Sequence, residues 1–203
     1  MELSSIALFE VSEFDRTKFQ RTFSHAGKIT PMVSQNKPQL RKQIADARPH
    51  SSEGLTQQLI SLVDNLGSAV IASYEPMPSE PDVSNFNSLA AERARLLLPR
   101  IVGEQIEFAQ GQLAKGPFGI MEPTGEAMPR ASIDLMLVPA LAIDSAGNRL
   151  GKGKGFYDRA LRDFAGTAAA VIFDEELLEL VPSEPHDMRV SMVVTPVRTL
   201  VLG

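Results

Sequence analysis

A chain of 203 residues, 43% hydrophobic and 22% charged, is long enough to bury a real core as one generous domain or two small ones. Its net charge of -5 argues against nonspecific nucleic-acid binding, which depends on basic surface, but leaves room for a small anion in a local basic pocket. The chain has no cysteine, which excludes disulfides, thiolate chemistry and cysteine-ligated zinc. No apolar stretch approaches the roughly 20 residues that span a bilayer, and the N-terminal residues lack a signal-peptide pattern. A soluble, cytoplasmic protein that binds neither nucleic acid nor membrane is expected.

Residues 1–34 read as an extension. Phe19 and Phe23 share a helical face with Phe14 nearby, and the stretch from Gly27 to Pro31 breaks the pattern. Met32 sits just before the first convincing helix, so residues 1–31 are expected to lie outside the functional domain, through an upstream start codon. Residues 35–47 predict a helix carrying Lys37, Arg41 and Lys42, with Arg48 just beyond. Lys37 and Arg41 are four apart and share a face, for which a solvated basic surface is the ordinary explanation. Residues 53–66 predict a second helix whose Leu55, Leu59, Leu62, Val63 and Leu66 form a core stripe. Residues 69–74 read as a buried strand running into a proline-rich loop that ends near Pro81 and carries Glu75, Met77 and Glu80. Loops at strand ends are where α/β folds place ligand groups.

Residues 85–98 predict a helix, 100–109 a strand and 111–129 a long Gly- and Pro-rich loop. Residues 133–138 form an apolar run that predicts a central strand. Residues 168–173, 189–194 and 198–202 predict further strands, and 175–181 a short helix. Strands alternating with helices favour a single α/β domain over residues 35–203, with a mostly parallel sheet sandwiched by helices.

The densest chemistry lies at residues 149–159, where Gly151, Gly153 and Gly155 alternate with Lys152 and Lys154 behind Arg149 and Leu150, and Phe156, Tyr157, Asp158 and Arg159 follow. Such glycines let backbone N–H groups approach a phosphate, and the cations supply full charge. Three alternating glycines are weak evidence alone, and a mobile loop with solvated lysines explains them too. The pattern is neither a P-loop, which ends in Gly-Lys-Ser/Thr, nor the dinucleotide fingerprint, whose third glycine comes later. Asp158 and Asp187, from separate loops near such a cradle, form a candidate magnesium pair, since that hard cation favours oxygen ligands. Helix-start and turn-capping roles are their ordinary alternatives. His186 is one loop histidine, and His25 and His50 have no motif around them.

Ile133 to Pro139, Asp144 and the run from Arg149 to Arg159 together resemble the signature of the 5-formyltetrahydrofolate cyclo-ligase family, the 5,10-methenyltetrahydrofolate synthetases. Further pieces fall in the family's order. Lys37 to Arg41 resembles its Lys-x-x-x-Arg, and Tyr74 to Glu80 its glutamate-bearing loop. Gly119 to Pro123 resembles its Gly-Ile-x-Glu-Pro, and Pro185-His186-Asp187 its late Asp motif. The resemblance covers about residues 35–203. Ala140 stands where the family often has glycine, and Phe156 where it often has tyrosine.

The resemblance implies a NagB/RpiA/CoA transferase-like fold and an ATP- and magnesium-dependent closure of 5-formyltetrahydrofolate to 5,10-methenyltetrahydrofolate by a monomer. It implies that Lys37, Arg41 and residues 149–157 bind ATP, with Lys154 and Arg149 catalytic. It implies that Tyr74, Met77, Glu80 and residues 152–156 meet the folate and that Asp158 and Asp187 take magnesium, with Asp144 and His186 left structural. A same-family enzyme with another substrate, and a nucleotide or folate binder without catalysis, remain the alternatives. Substrate choice is expected to lie in residues 74–80 and 111–123.

Overall fold

Strand alternation organises the molecule around one sheet with both faces covered. The computed structural model describes residues 36–49 and 51–202. The expected extension over residues 1–34, His25 and His50 lie outside them.

The first helix, α1 (Lys37–Ala47), starts on a capping box in which the Asn36 side chain accepts from Gln39 N and Gln39 accepts from Asn36 N. The second, α2 (Leu55–Leu66), runs between two left-handed glycines, Gly54 and Gly67. Its Leu55, Leu59 and Leu62 are fully buried, each burial stabilising by about 1.5–3 kcal/mol, so packing anchors this helix more than propensity does. Strand β1 (Val70–Ala72) follows, then α3 (Ser84–Arg93) and the hairpin β2 (Arg95–Val102) with β3 (Gln105–Ala109). Three short strands come next: β4 (Leu113–Lys115), β5 (Met121–Pro123) and β6 (Ala127–Met128). The central strand β7 (Leu135–Pro139) leads into a small hairpin, β8 (Ala142–Ile143) with β9 (Arg149–Leu150). The chain closes with α4 (Phe156–Leu161), β10 (Thr167–Val171), β11 (Met192–Val194) and β12 (Thr199–Val201).

Eight strands form one mixed sheet in the order β12-β11-β10-β7-β1-β2-β3-β6. The five inner strands, β11 through β2, are parallel, and β12, β3 and β6 add antiparallel edges. The expected mostly parallel α/β sheet is therefore present. Successive inner residues alternate between two cores. Leu135 and Leu137 of β7, Ala169 and Val171 of β10 and Met192 and Val194 of β11 pack with α2 and α3. Met136, Val138, Ala168, Ala170 and Val193 pack on the opposite face, where α4 contributes Ala160 and Leu161. A third cluster joins Leu40 and Ile44 of α1 to Leu141, Ala142, Leu150, Leu178 and Val181. Helix α1 thus docks on the β8–β9 hairpin, beyond the carboxyl end of the sheet.

Four element expectations need correction, the first being the long loop expected over 111–129, which instead carries β4, a 3-10 turn, β5 and β6. The helix expected over 85–98 stops at Arg93, because Arg95, Leu96 and Leu97 pair in parallel register with Val70, Ile71 and Ala72. The single strand expected over 100–109 is the second half of β2, a turn at Gly103 and β3. The helix expected over 175–181 is a 3-10 turn, Asp174–Glu176, after which Leu177 bridges to Ile143 and Leu178 N donates to Ile143 O at 2.9 Å.

From β1 the chain steps outward to β2, whereas from β7 it steps the other way, to β10 and β11. The crevice between the carboxyl ends of β1 and β7 is thus the switch point of the sheet, where open α/β folds bind ligands.

Candidate active site at the carboxyl end of the sheet

A cavity of about 360 Å³ opens at that crevice. Every site residue expected from the sequence lines it: Lys37 and Arg41 from α1; Tyr74, Met77 and Glu80 from the loop after β1; residues 149–158; and Asp187. Apolar residues line it as well, with Pro99 and Ile101 from β2, Ile106 from β3, Ile120, and Pro139 at the end of β7.

The loop after β1 is held from below. Ser73 Oγ lies 2.6 Å from Asn87 Oδ1, Asn87 Nδ2 donates to the Tyr74 carbonyl at 2.9 Å, and Tyr74 OH donates to the Pro81 carbonyl at 2.8 Å. Burial, together with the nearby Glu80 carboxylate, pushes the Tyr74 phenol well above its usual range. Tyr74 therefore shapes the loop with its hydroxyl already committed. Glu80 is buried, accepts from Met77 N at 3.0 Å and pairs with Lys152 Nζ at 2.7 Å. Lys152 Nζ also lies 3.2 Å from Met77 Sδ. The proline-rich loop and the glycine loop therefore meet across the cavity.

The glycine loop leaves β9 and turns through Gly153 (φ +94°) and Gly155 (φ +68°) into α4. Left-handed backbone at both points favours glycine, because a Cβ there is strained. Arg41 Nε donates to the Gly151 carbonyl at 2.8 Å and so ties α1 to this loop. Arg159 Nη2 donates to the Lys154 carbonyl at 3.1 Å and Nε to the Glu104 carbonyl at 2.6 Å, while its guanidinium stacks 5.3 Å from the Phe156 ring centre. Lys152, Gly153 and Lys154 are exposed at the cavity rim.

Cations and carboxylates interlock on the α1 side. Arg149 is buried and donates through Nη2 to Asp158 Oδ1 at 2.8 Å, an oxygen that also accepts from Met188 N at 3.3 Å. Lys37 Nζ donates to Asp187 Oδ2 at 2.6 Å and to Glu184 Oε2 at 2.8 Å. Burial draws the Lys37 ammonium down, but hydrogen bonds to Asp187 and Glu184 outweigh it and hold Lys37 above its usual value. Burial pushes the Asp187 carboxyl up, but Lys37 and the Glu184 amide bring it below its usual value. Ligand atoms of Glu184, His186 and Asp187 lie within 4.8 Å of one another. Asp158 and Asp187 both line the cavity and offer the hard carboxylate oxygens that magnesium prefers.

Asp144 is buried away from the cavity and accepts from Ala146 N, Asn148 N, Asn148 Nδ2 and Val181 N, so it builds the β8–β9 turn. Sequence reasoning gave no role to Glu184, three residues before Asp187 in the same turn, or to the apolar wall of the misread β2–β3 hairpin. It quoted Glu122 within a motif without assigning it a task.

This combination defines an α/β protein whose glycine loop, cations and apolar residues line one cavity at the switch point of the sheet. A model of the 5-formyltetrahydrofolate cyclo-ligase family matches residues 33–196, and the chain belongs to that family. It is 36% identical over 179 residues to the 5-formyltetrahydrofolate cyclo-ligase of Mycolicibacterium smegmatis, covering 80% of this chain and 91% of the relative. Identity to the Haemophilus influenzae cyclo-ligase is 25% over 179 residues, covering 77% and 96%. Among solved structures, Aquifex aeolicus 5,10-methenyltetrahydrofolate synthetase superposes with a TM-score of 0.72 at 31% identity, over 82% of this chain and 92% of that one. The Mycoplasma pneumoniae synthetase shares the fold, with a TM-score of 0.67 at 22% identity, over 80% and 99%. Family membership makes the chain an ATP-dependent ligase of folate one-carbon chemistry. Among the described residues no helix is long and apolar enough to cross a membrane.

Proposed function

We propose that this chain closes 5-formyltetrahydrofolate to 5,10-methenyltetrahydrofolate, using ATP and magnesium and releasing ADP and phosphate. The observation that carries the reading is a single cavity lined both by cations from α1 and the glycine loop and by apolar residues of β2, β3 and β7. ATP takes the cationic lining, against Lys37, Arg41 and residues 149–157. The folate takes the apolar lining, against Tyr74, Met77, Glu80 and residues 152–156.

The formyl oxygen attacks the γ-phosphorus, and ADP leaves with the bridging oxygen. The product is an imidate phosphate, whose carbon is now open to attack by the 10-nitrogen. That nitrogen closes the ring, loses its proton, and phosphate departs. Such a reaction needs alignment and charge neutralisation more than a protein nucleophile. Lys154 and the Gly151–Gly155 backbone hold the transferring phosphoryl oxygens. Arg149, fixed by Asp158, faces the phosphate chain from a buried position where its charge is poorly screened. Asp158 and Asp187 would hold magnesium, which supplies charge neutralisation and orientation at the phosphates. Glu80 gives up or shares Lys152 as the folate enters, so the salt bridge between the two loops becomes part of the ligand's wall.

The stoichiometry tests this reading. One ADP should form per methenyl product, and ADP formation should require the folate. ADP released at the same rate without any folate would overturn it.

A further inference from the structure

Of the two cavity acids with no ion pair among the described residues, Glu75 and Glu122, Glu122 is the enclosed one. Glu80, Asp158 and Asp187 are each paired with a cation, Lys152, Arg149 and Lys37 respectively. Glu122, at 8% exposure, is as enclosed as Glu80, yet forms no ion pair among the described residues. It accepts one hydrogen bond, from Ile101 N to Oε1 at 3.2 Å, and among the described residues no donor is paired with Oε2. Water still reaches this oxygen, and an acceptor held in an otherwise apolar lining is one that a ligand's donors can take over.

The local architecture holds that carboxylate in place. Strand β1 pairs with β2 only as far as Leu97, and beyond that point the Glu122 side chain takes up the amide of Ile101. A Cβ on Gly116 would overlap the carboxylate, so the backbone of the β4–β5 hairpin closes tightly behind it. Pro99, Ile101, Ile106 and Ile120 line the same end of the cavity, giving a slot with one acid in it.

We propose that Glu122 is the recognition group for the reduced pterin ring, its free oxygen accepting from the N–H donors of the 2-amino-4-oxopyrimidine edge. The assignment rests on the folate reading given above. An apolar slot with one anchored acceptor suits a flat, donor-edged heterocycle. A purely structural role would need only the acceptor that serves Ile101, and an amide oxygen provides that equally well. Charge is required only if a donor-rich ligand edge meets the second oxygen.

The test uses Glu122→Gln in the full chain, with wild type as the control for the reading itself. The amide keeps an oxygen for Ile101 N but turns an NH2 group toward the ligand. Binding of 5-formyltetrahydrofolate without ATP is measured by calorimetry, and both KM values by steady-state kinetics. The folate Kd and KM should rise about ten- to a hundredfold. The KM for ATP and the melting temperature should hold near wild type. Unchanged folate affinity with an active wild type overturns the assignment of Glu122 alone. Equal losses for ATP and folate, or a lower melting temperature that accounts for the loss, also overturn it by making the residue structural. A wild type that binds and converts no folate overturns both readings.

Discussion

At the scale of single residues, the candidate site is a set of charges that hold one another until ligands arrive. Arg149 is nearly enclosed and depends on Asp158, whereas Lys154 stands at the exposed rim. Their contributions should therefore differ in kind. Lys154→Ala is expected to lose about 2–4 kcal/mol of transition-state stabilisation, read from kcat/KM, with the melting temperature unchanged. An unchanged rate would return Lys154 to a solvated role. The Lys37–Asp187 contact gives a pH signature. Because the folded Asp187 carboxyl lies below its usual value, the unfolded chain binds the extra proton first. The contact's stability is thus present above the ordinary aspartate pKa of about 3.9 and lost as pH falls through the lower folded value. The gap in melting temperature between wild type and Lys37→Met should therefore be full at neutral pH and close in acid. A gap independent of pH would show that Lys37 acts through packing alone. The residues that line the cavity were picked out in the sequence by the family resemblance, because spacing alone left Lys37 and Arg41 with a solvated face and the glycines with a mobile loop as ordinary explanations. Glu184 and Glu122 were less legible, since one acid in a turn and one in a short hairpin look like any solvated glutamate until the fold buries or pairs them.

Elements carry these residues to one place, and α1 has the longest reach. Its C-terminal Arg48 is buried, with Nε 2.7 Å from Glu176 Oε1 and Nη2 donating to the Ala140 carbonyl at 2.6 Å. Burial pushes the Glu176 carboxyl up to about 7, against the pull of Arg48 beside it. The pair pins α1 to the end of β7, and with it Lys37 and Arg41. Arg48→Ala should cost about 3–5 kcal/mol in denaturant unfolding, because it leaves a buried acid uncompensated. Replacing both partners by apolar residues should cost far less. A small loss for the single variant would show that water or another group reaches Glu176. Long periodic helices were readable, as α2 shows through its leucine stripe. The end of α3 was not. Leu96 and Leu97 continue its apolar period, and only pairing with β1 draws them into a strand. Strands of two or three residues, such as β4, β5 and β6, are too short for any period to appear. The turn after β10 misled for the opposite reason. Leu177, Leu178 and Val181 have helical spacing but meet the β8–β9 hairpin and α1 in extended form.

For the whole molecule, the parallel sheet fixes where the site must be. The order in which strands are added reverses between the parallel strands β1 and β7, and that crevice receives both the proline-rich loop and the glycine loop. The alternation of strands and helices made this architecture legible, since buried parallel strands leave continuous apolar runs such as Leu135 to Val138. The meeting of distant loops was not legible from spacing alone. Lys37 and Asp187 are 150 residues apart in sequence and 2.6 Å apart in space. The central claim is that this single cavity joins ATP to a formylated folate. The most direct measurement mixes the protein with 5-formyltetrahydrofolate, ATP and magnesium and follows near-ultraviolet absorbance as the methenyl bridge conjugates the two nitrogens. Absorbance should rise, and the rise should stop when ATP or magnesium is left out. No rise with the complete mixture, from protein that binds both ligands, would contradict it.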